Sequence, residues 1–223
     1  MNSITEEILE YLIKNRVSTT EAADCLGKAG ALEGIQAVNR GHYVAGIVKW
    51  VYAYGESNWG VHEQIRDIKK DQIVYVDVFD CNNRAILGEL VSKYILLYRR
   101  CKGLVVNGNV RDAAALIKEN YAIWCRGFNP VGCFNHKLEH DIPVELKESR
   151  KNLFDGAILV CDDCGVVFIK KENQNEEFLQ KLVNIEKQED IWFERLDYYK
   201  ENTFEIVCKK SYLQDEFYWE HRK

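Results

Sequence analysis

The stretch GELVSKYILLYRRCKGLVVNGNVRD, residues 88–112, contains the pattern that decides the fold. It starts with a glycine and an acid, favours a helix from Gly88, and then enters an apolar β run at 104–106. Gly108 predicts a tight turn after that run, so that Arg111 and Asp112 stand at the start of another helix. Ligands of open α/β sheets bind where the strands end. The stretch therefore predicts a site for a small anionic ligand with a divalent metal.

The segments on either side alternate between helical and strand patterns. Apolar spacing and composition predict helices over 3–15, from Ser18 or Thr19 to near Gly27, over 58–69, 112–120 and 175–198. Strands are predicted over 42–54, 71–77, 121–125 and 142–146, with two more within 157–169. The alternation indicates an α/β chain with parallel strand pairs.

The 223 residues show no linker, which favours a single domain over 1–223. Its expected parts are N-terminal helices in 3–27, a core over 40–170, and a C-terminal helix with a tail over 175–223. The aromatic tail residues Phe217, Tyr218 and Trp219 are expected to pack on their own or a neighbouring subunit.

The composition and charge of the chain indicate which kinds of binding partner to expect. The net charge is -5 and no Lys/Arg block dominates a segment, so direct nucleic-acid binding is not expected. No apolar run approaches the roughly 20 residues that span a bilayer. The start is a charged amphipathic helix without a cleavable apolar core, so we expect a cytoplasmic protein with no membrane partner and eight free thiols.

The Arg111–Asp112 pair suits a carboxylate ligand together with a divalent metal. Arginine offers a planar two-pronged donor for a carboxylate, and aspartate is a hard oxygen ligand of the kind that magnesium or manganese uses. An ordinary strand-to-helix turn at Gly88 and a simple Arg-Asp helix cap remain open at this point.

A different metal site is suggested by the cysteines. Cys161 and Cys164 have the spacing of a zinc knuckle or a redox pair, and Cys133, His136 and His140 could add ligands. The apolar surroundings of most cysteines favour free buried thiols instead.

Over residues 17–200 the chain resembles the RraA-like family, which includes the regulator of ribonuclease E activity A and the class II 4-hydroxy-4-methyl-2-oxoglutarate aldolases. The resemblance rests on the order and spacing of short motifs. These are Ser18-Thr19-Thr20 with Asp24, Val74 to Asp77, Gly88-Glu89-Leu90, Gly103 to Gly108 with Val110-Arg111-Asp112, Asp155-Gly156, and Asp162 to Val167.

The resemblance implies a three-layer β/β/α swivelling-domain fold with a long C-terminal helix, and a homo-oligomeric ring, either a trimer or a hexamer. It also implies a lyase site at the subunit interface, where Arg111 and Glu89 are catalytic and Asp112 holds Mg²⁺ or Mn²⁺. Gly88, Glu89, Leu90 and Val91 would bind the substrate with Arg111. A glutamate from the neighbouring subunit, Glu189 or Glu186, would contribute.

Two departures separate this chain from the catalytic members of that family. They usually carry an acid where this chain has Ala115, and commonly an aspartate where it has Asn107. The ribonuclease regulator, in contrast, lacks the aspartate that this chain keeps as Asp112. The expectation is therefore a divalent-metal-dependent carbon–carbon lyase that acts on a small 2-oxo acid, by retro-aldol cleavage or decarboxylation. The alternative is a non-catalytic ring that binds and regulates another protein.

Overall fold

Helices and strands alternate through most of the chain, as the sequence predicts. The computed structural model describes residues 3–214. The helices are α1 Ser3–Asn15, α2 Thr19–Cys25, α3 Trp59–Gln64, α4 Glu89–Lys93, α5 Ala113–Lys118, α6 Val144–Phe154 and α7 Glu176–Asp197. The strands are β1 Gln36–Ala37, β2 Val44–Tyr54, β3 Ile73–Phe79, β4 Ala85–Leu87, β5 Gly103–Val110, β6 Ile123–Phe128, β7 Ile158–Asp162 and β8 Gly165–Ile169. A 3₁₀ turn, Ile65–Asp67, extends α3, and a π turn, Tyr94–Tyr98, extends α4.

The strand order is β1-β6-β5-β3-β2-β7-β8, with β4 paired to β5. The long strand β2 joins two parts of this sheet. Its second half, from Val48, pairs in parallel with β3, whereas its first half, 44–47, pairs antiparallel with β7. β3, β5 and β6 continue the parallel pairing, and β8 completes an antiparallel hairpin with β7.

Two buried clusters lie on opposite faces of the parallel strands, and this gives the three layers. Strand residues such as Val76 and Val106 pack against helix residues such as Val61, Ile95 and Leu116. On the other face, the strand residues Trp50, Tyr75 and Trp124 are buried. They pack against the β7–β8 hairpin, which contributes Leu159 and Phe168, and against the end of α6. The predicted three-layer β/β/α architecture with a long C-terminal helix is confirmed.

The prediction of a strand over 142–146 is wrong. Ile142 is buried, but Val144 and Leu146 are 63% and 38% exposed, so the apolar alternation does not mark one buried face. Pro143 stands just before the helix α6, where its fixed φ suits a helix start. The run from 144 onward is rich in Glu, Lys and Leu, which favour a helix.

The predicted turn at Gly108 is also wrong, because β5 continues to Val110. The pairing of β5 with β6 shifts register between Val106 and Asn109. A Cβ at position 108 would lie 3.0 Å from the Val78 side chain and 3.4 Å from the Ile86 side chain. The glycine permits close packing inside the strand rather than a reversal of the chain.

Contacts along the chain define two compact units, residues 1–179 and 180–223. In the second unit, Ile191 and Tyr212 form a small buried cluster, and Arg195 pairs with Glu201. The single domain over 1–223 stays a prediction, and the aromatic residues 217–219 lie outside the described range. Within residues 3–214, no helix is both long and apolar enough to cross a membrane.

Candidate active site

The ends of β4 and β5 bring two distant parts of the chain together. These strands pair in parallel, with Leu87 opposite Val110, so they leave the sheet at the same edge. The Arg111 N–H donates to the Leu87 carbonyl oxygen at 2.9 Å. The residues that follow each strand, Gly88 and Asp112 among them, therefore lie side by side.

Asp112 is held in an unusual backbone conformation beside the start of α4. Its φ of 61° and ψ of 36° are left-handed, which costs free energy for any residue other than glycine. Its Oδ2 atom accepts a hydrogen bond from the Glu89 backbone N–H at 3.0 Å. Within residues 3–214, Oδ1 has no hydrogen-bond partner, so one carboxylate oxygen locks the conformation and the other remains available.

Gly88 is required by this close approach. A Cβ at position 88 would lie 2.1 Å from Asp112 Oδ2 and 2.8 Å from Arg111 Cγ. The backbone of Gly88 is extended, with φ -142°, so no left-handed conformation is involved. The glycine is present because the Arg111–Asp112 pair needs the space.

The Arg111 side chain lies beside Asp112 at the protein surface. Its Nε lies 3.9 Å from Asp112 Oδ2, and the two side chains are 50% and 45% exposed. A Cβ on Gly132 would lie 2.7 Å from Arg111 Nη1, so a second glycine makes room for the guanidinium. The exposed donors of Arg111 are placed to bind a planar anion.

These residues border one cavity of about 110 Å³. Its lining comprises Asn58, His62, Ala85, Ile86, Leu87, Gly88, Leu90, Val91, Arg111, Asp112, Gly132, Cys133 and Asn135. Of the residues predicted for the site, Gly88, Leu90, Val91, Arg111 and Asp112 meet here. The Glu89 side chain is not part of the lining; Glu89 contributes its backbone N–H to Asp112.

The sequence reasoning missed Asn58 and His62. Asn58 is 9% exposed, and its Nδ2 donates to the Ile86 carbonyl oxygen at 3.0 Å. Its Oδ1 atom is buried and has no hydrogen-bond partner among the described residues. Such an acceptor costs free energy unless a ligand or water supplies a donor. The available signal was the Asn-x-x-x-His spacing, which puts both residues on one side of a helical turn.

The two departures, Asn107 and Ala115, lie in different environments. Asn107 donates from Nδ2 to Asp77 Oδ1 at 3.3 Å and accepts from Arg126 Nε at 2.7 Å. Asp77 is 1% exposed and also pairs with Arg150, at 2.7 Å from Nε. Ala115 is half-buried in α5, and its N–H donates to the Asp112 carbonyl oxygen at 2.9 Å. Neither side chain lines the cavity.

The remaining predicted residues are on other elements of the chain. Glu186 and Glu189 are in α7, so a role in a neighbouring subunit stays a prediction. Cys161 is fully buried, and burial raises its pKa well above the usual value, whereas Cys164 is exposed. No group of three or more metal-ligating side chains occurs within residues 3–214.

The fold and the Arg111–Asp112 site define an α/β protein with a small polar cavity at the ends of two parallel strands. The model of the RraA-like family, described as Aldolase/RraA, matches residues 19–168. The chain belongs to the RraA-like family.

Relatives in this family carry different names. The chain is 28% identical over 127 residues to a protein of Shewanella oneidensis named "Putative 4-hydroxy-4-methyl-2-oxoglutarate aldolase", which covers 56% of this chain and 74% of that protein. It is 27% identical to a protein of the same name from Halalkalibacterium halodurans, over 74% of this chain and 78% of the other. Protein DlpA of Legionella pneumophila is 24% identical over 79% of this chain, but the match spans only 29% of DlpA.

Solved structures share the fold. An uncharacterised protein of Pseudomonas syringae superposes with a TM-score of 0.67 at 20% identity, over 90% of this chain and 96% of the other. An unusual RraA-family protein of Streptomyces coelicolor gives 0.62 at 22% identity, over 82% of this chain and 94% of the other. The RNA-processing inhibitor RraA from Thermus gives 0.53 at 21% identity, over 68% of this chain and 91% of the other.

Proposed function

We propose that this protein is a divalent-metal-dependent carbon–carbon lyase that acts on a small 2-oxo acid and releases pyruvate or a related oxo acid. The observation that carries the proposal is the pairing of Arg111 with Asp112 at the wall of one cavity, with one carboxylate oxygen of Asp112 held by the Glu89 N–H and the other available. The family relatives named as aldolases support a reaction of this class. Retention of Asp112 favours catalysis over the purely regulatory alternative.

The donor atoms fit a hard divalent cation. Asp112 Oδ1 is available, and the side chain is 45% exposed at the cavity. Magnesium and manganese commonly use one or two protein carboxylates and complete their coordination with water and substrate oxygens. Asp112 would therefore hold the Mg²⁺ or Mn²⁺. A bound cation would supply Lewis-acid polarisation of the 2-oxo group.

The chain's own groups account for binding and charge. The Arg111 guanidinium binds the substrate carboxylate with two parallel hydrogen bonds and stabilises negative charge that develops on the neighbouring oxo oxygen. In retro-aldol cleavage the C4 hydroxyl gives its proton to a water molecule, the C3–C4 bond breaks, and the electron pair of that bond moves toward the oxo oxygen to form an enolate. The water then returns a proton to C3, which completes the release of the oxo acid. Asn58 lines the same cavity, and its Nδ2 donates to the Ile86 carbonyl oxygen at 3.0 Å, which fixes the wall beside the substrate.

Because the family resemblance implies interfacial sites, we also propose a homo-oligomer, a trimer or a hexamer. A neighbouring copy would supply Glu189 or Glu186.

The test is a coupled pyruvate assay with Mg²⁺ or Mn²⁺ against a panel of 4-hydroxy-2-oxo acids and oxaloacetate. Asp112→Asn should lower kcat/KM at least about 100-fold, because metal polarisation is worth several kcal/mol. Arg111→Lys should lower it about 10- to 100-fold through loss of the second prong. Mn²⁺ binding, measured by calorimetry, should weaken in Asp112→Asn but not in Arg111→Lys.

Asp71→Asn is the matched control, since Asp71 is also an exposed aspartate in a left-handed conformation, with φ 66°. It should leave turnover and Mn²⁺ binding unchanged. If the wild-type protein releases no pyruvate from any compound of the panel and binds no Mn²⁺, the lyase proposal is rejected and the regulatory ring is favoured.

A further inference from the structure

A second cavity, of about 270 Å³, lies next to the helix α3 and is larger than the candidate active site. Its walls are the end of β2 with the turn that follows, the exposed side of α3, and the segment 137–141. Small-molecule sites in proteins begin at roughly 300 Å³, so this space suits a small ligand. The second cavity shares no lining residue with the site of Arg111 and Asp112.

Local contacts hold the walls of the second cavity in place. Ser57 Oγ donates to the His136 carbonyl oxygen at 2.6 Å and accepts from the Trp59 N–H at 3.2 Å. Ser57 is buried, so both bonds are largely shielded from water. A Cβ on Gly55 would lie 2.9 Å from Leu138 Cδ1, so this glycine lets Leu138 approach the end of β2. The cavity is therefore preformed, which lowers the entropic cost of binding a ligand.

The charged groups around the second cavity favour a cationic ligand. Glu63 and Glu139 line it and are exposed, and within residues 3–214 their side chains form no ion pair. Lys137, which also lines the cavity, balances one of these carboxylates. A net negative charge therefore remains when His140, a further lining residue, is neutral.

The aromatic rings at the second cavity also suit a cation. Lys147 Nζ lies 5.1 Å from the Tyr52 ring centroid and 2.7 Å from Asp141 Oδ2, so one ammonium group is already held between a ring and a carboxylate. Tyr54 and Trp59 line the cavity as well, and Trp59 is 40% exposed. Cations bind over the faces of such rings, and apolar groups pack against them.

We propose that the second cavity binds a small organic cation, an ammonium group carried on an apolar or aromatic stem. Tyr54 and Trp59 pack against the stem. The ammonium group donates hydrogen bonds to the carboxylates of Glu63 and Glu139, which are charge-assisted and therefore stronger than those of a neutral hydroxyl.

The helix α3 separates this site from the candidate active site. His62 and the preceding Asn58 line the candidate active site, whereas Trp59 and Glu63 line the second cavity. Both cavities can therefore be occupied at once, and binding of the organic cation does not depend on the proposed lyase reaction.

The test is calorimetry of the intact chain with 2-phenylethylamine and 2-phenylethanol, which share a stem and differ in charge at pH 7. The amine should bind about 10-fold more tightly than the alcohol, because its hydrogen bonds to the carboxylates are charge-assisted. Glu63→Gln combined with Glu139→Gln should abolish this preference and leave the affinity for the alcohol unchanged. Trp59→Ala should weaken the binding of both compounds, because both lose the packing of the stem.

Two further variants are controls for the place of binding. Glu7→Gln removes an exposed glutamate of α1 and should leave the Kd of the amine unchanged. Asp112→Asn should also leave it unchanged, which distinguishes the second cavity from the carboxylate of the candidate active site.

Three outcomes would overturn the proposal: no binding of the amine, equal affinities for the amine and the alcohol, or a preference for the amine that survives the double glutamine substitution. Because calorimetry measures binding alone, amine binding by protein without lyase activity supports the organic-cation proposal and counts only against the proposed reaction.

Discussion

Gly88→Ala tests the close approach on which the candidate site depends. The new Cβ would lie 2.1 Å from Asp112 Oδ2, so the carboxylate must retreat by about 1 Å to reach ordinary contact. That movement breaks the hydrogen bond from the Glu89 N–H to Asp112, now 3.0 Å long. The extended backbone at Gly88 accepts alanine without strain, so the whole effect comes from the space around Cβ.

The magnitude follows from two contributions. A hydrogen bond to a charged group contributes about 1.5 to 3 kcal/mol. The contact of the new Cβ with Arg111 Cγ, at 2.8 Å, adds about 1 kcal/mol of overpacking. The expected loss in the free energy of unfolding is about 3 kcal/mol, or about 6 to 12 °C in Tm for a protein of this size.

Urea denaturation followed by tryptophan fluorescence measures this loss. Gly60→Ala is the control, because its Cβ would lie 3.5 Å from the Gln64 side chain and alanine favours the helix α3. In an Asp112→Gly background, where the clashing oxygen is absent, Gly88→Ala should cost only about 1 kcal/mol, from the remaining contact with Arg111. If Gly88→Ala is as stable as Gly60→Ala, or equally costly in both backgrounds, the account of the site is refuted.

Two other predictions concern charge. Asn107→Asp should lower the free energy of unfolding by about 2 kcal/mol at pH 7, because it replaces a hydrogen-bond donor 3.3 Å from the buried Asp77 with a second carboxylate. This loss should shrink as pH falls, because the new carboxylate is then protonated. Burial raises the pKa of Asp141, but hydrogen bonds from Lys147 and Tyr52 outweigh it and hold that pKa below its usual value. Asp141→Asn should therefore cost about 0.5 kcal/mol at neutral pH, and the difference from wild type should vanish as pH falls below about 4, through the folded-state pKa.

Urea denaturation from pH 3 to pH 7 checks both. Asn120→Asp, at an exposed asparagine, is the control for the first change and should be nearly neutral. Equal stability of Asn107→Asp and wild type at pH 7 would contradict the like-charge argument. For Asp141→Asn, a difference that grows toward pH 3 would reverse the sign of the linkage and exclude the assigned ion pair.

Local patterns were enough to predict most elements and the position of the Arg111–Asp112 pair. Ser18, one of the two predicted starts of α2, is the N-cap of that helix and forms a capping box with Glu21. The apolar runs of β3 and β5 are buried on both faces, so their short hydrophobic segments predict parallel strands directly. Since parallel strands end at one edge, the residues after β5 had to lie at that edge.

Tertiary contacts explain what the sequence did not reveal. Asn58 stands just before α3, where a capping role is expected, yet its side chain makes no cap and bonds to the Ile86 carbonyl oxygen instead. Gly132 and Cys133 reach the cavity because their segment pairs with Ala85, nearly 50 positions earlier in the chain. No local pattern encodes such a pairing, so this part of the cavity wall was invisible to periodicity and motif spacing.

The two departures from the family pattern, Asn107 and Ala115, bear on different properties of the protein. Asn107 supplies an amide donor to the buried Asp77 and an acceptor to Arg126, so its identity is set by the hydrogen bonds of that network rather than by the cavity. Ala115 lies one helical turn after Asp112 and is bonded to its carbonyl oxygen, so an acid there would add charge near the proposed metal ligand. Asn107 therefore bears on stability and Ala115 on the affinity of the proposed metal site. An ionised aspartate at position 107 could not donate to the Asp77 carboxylate, so the asparagine keeps a hydrogen bond that this buried group needs.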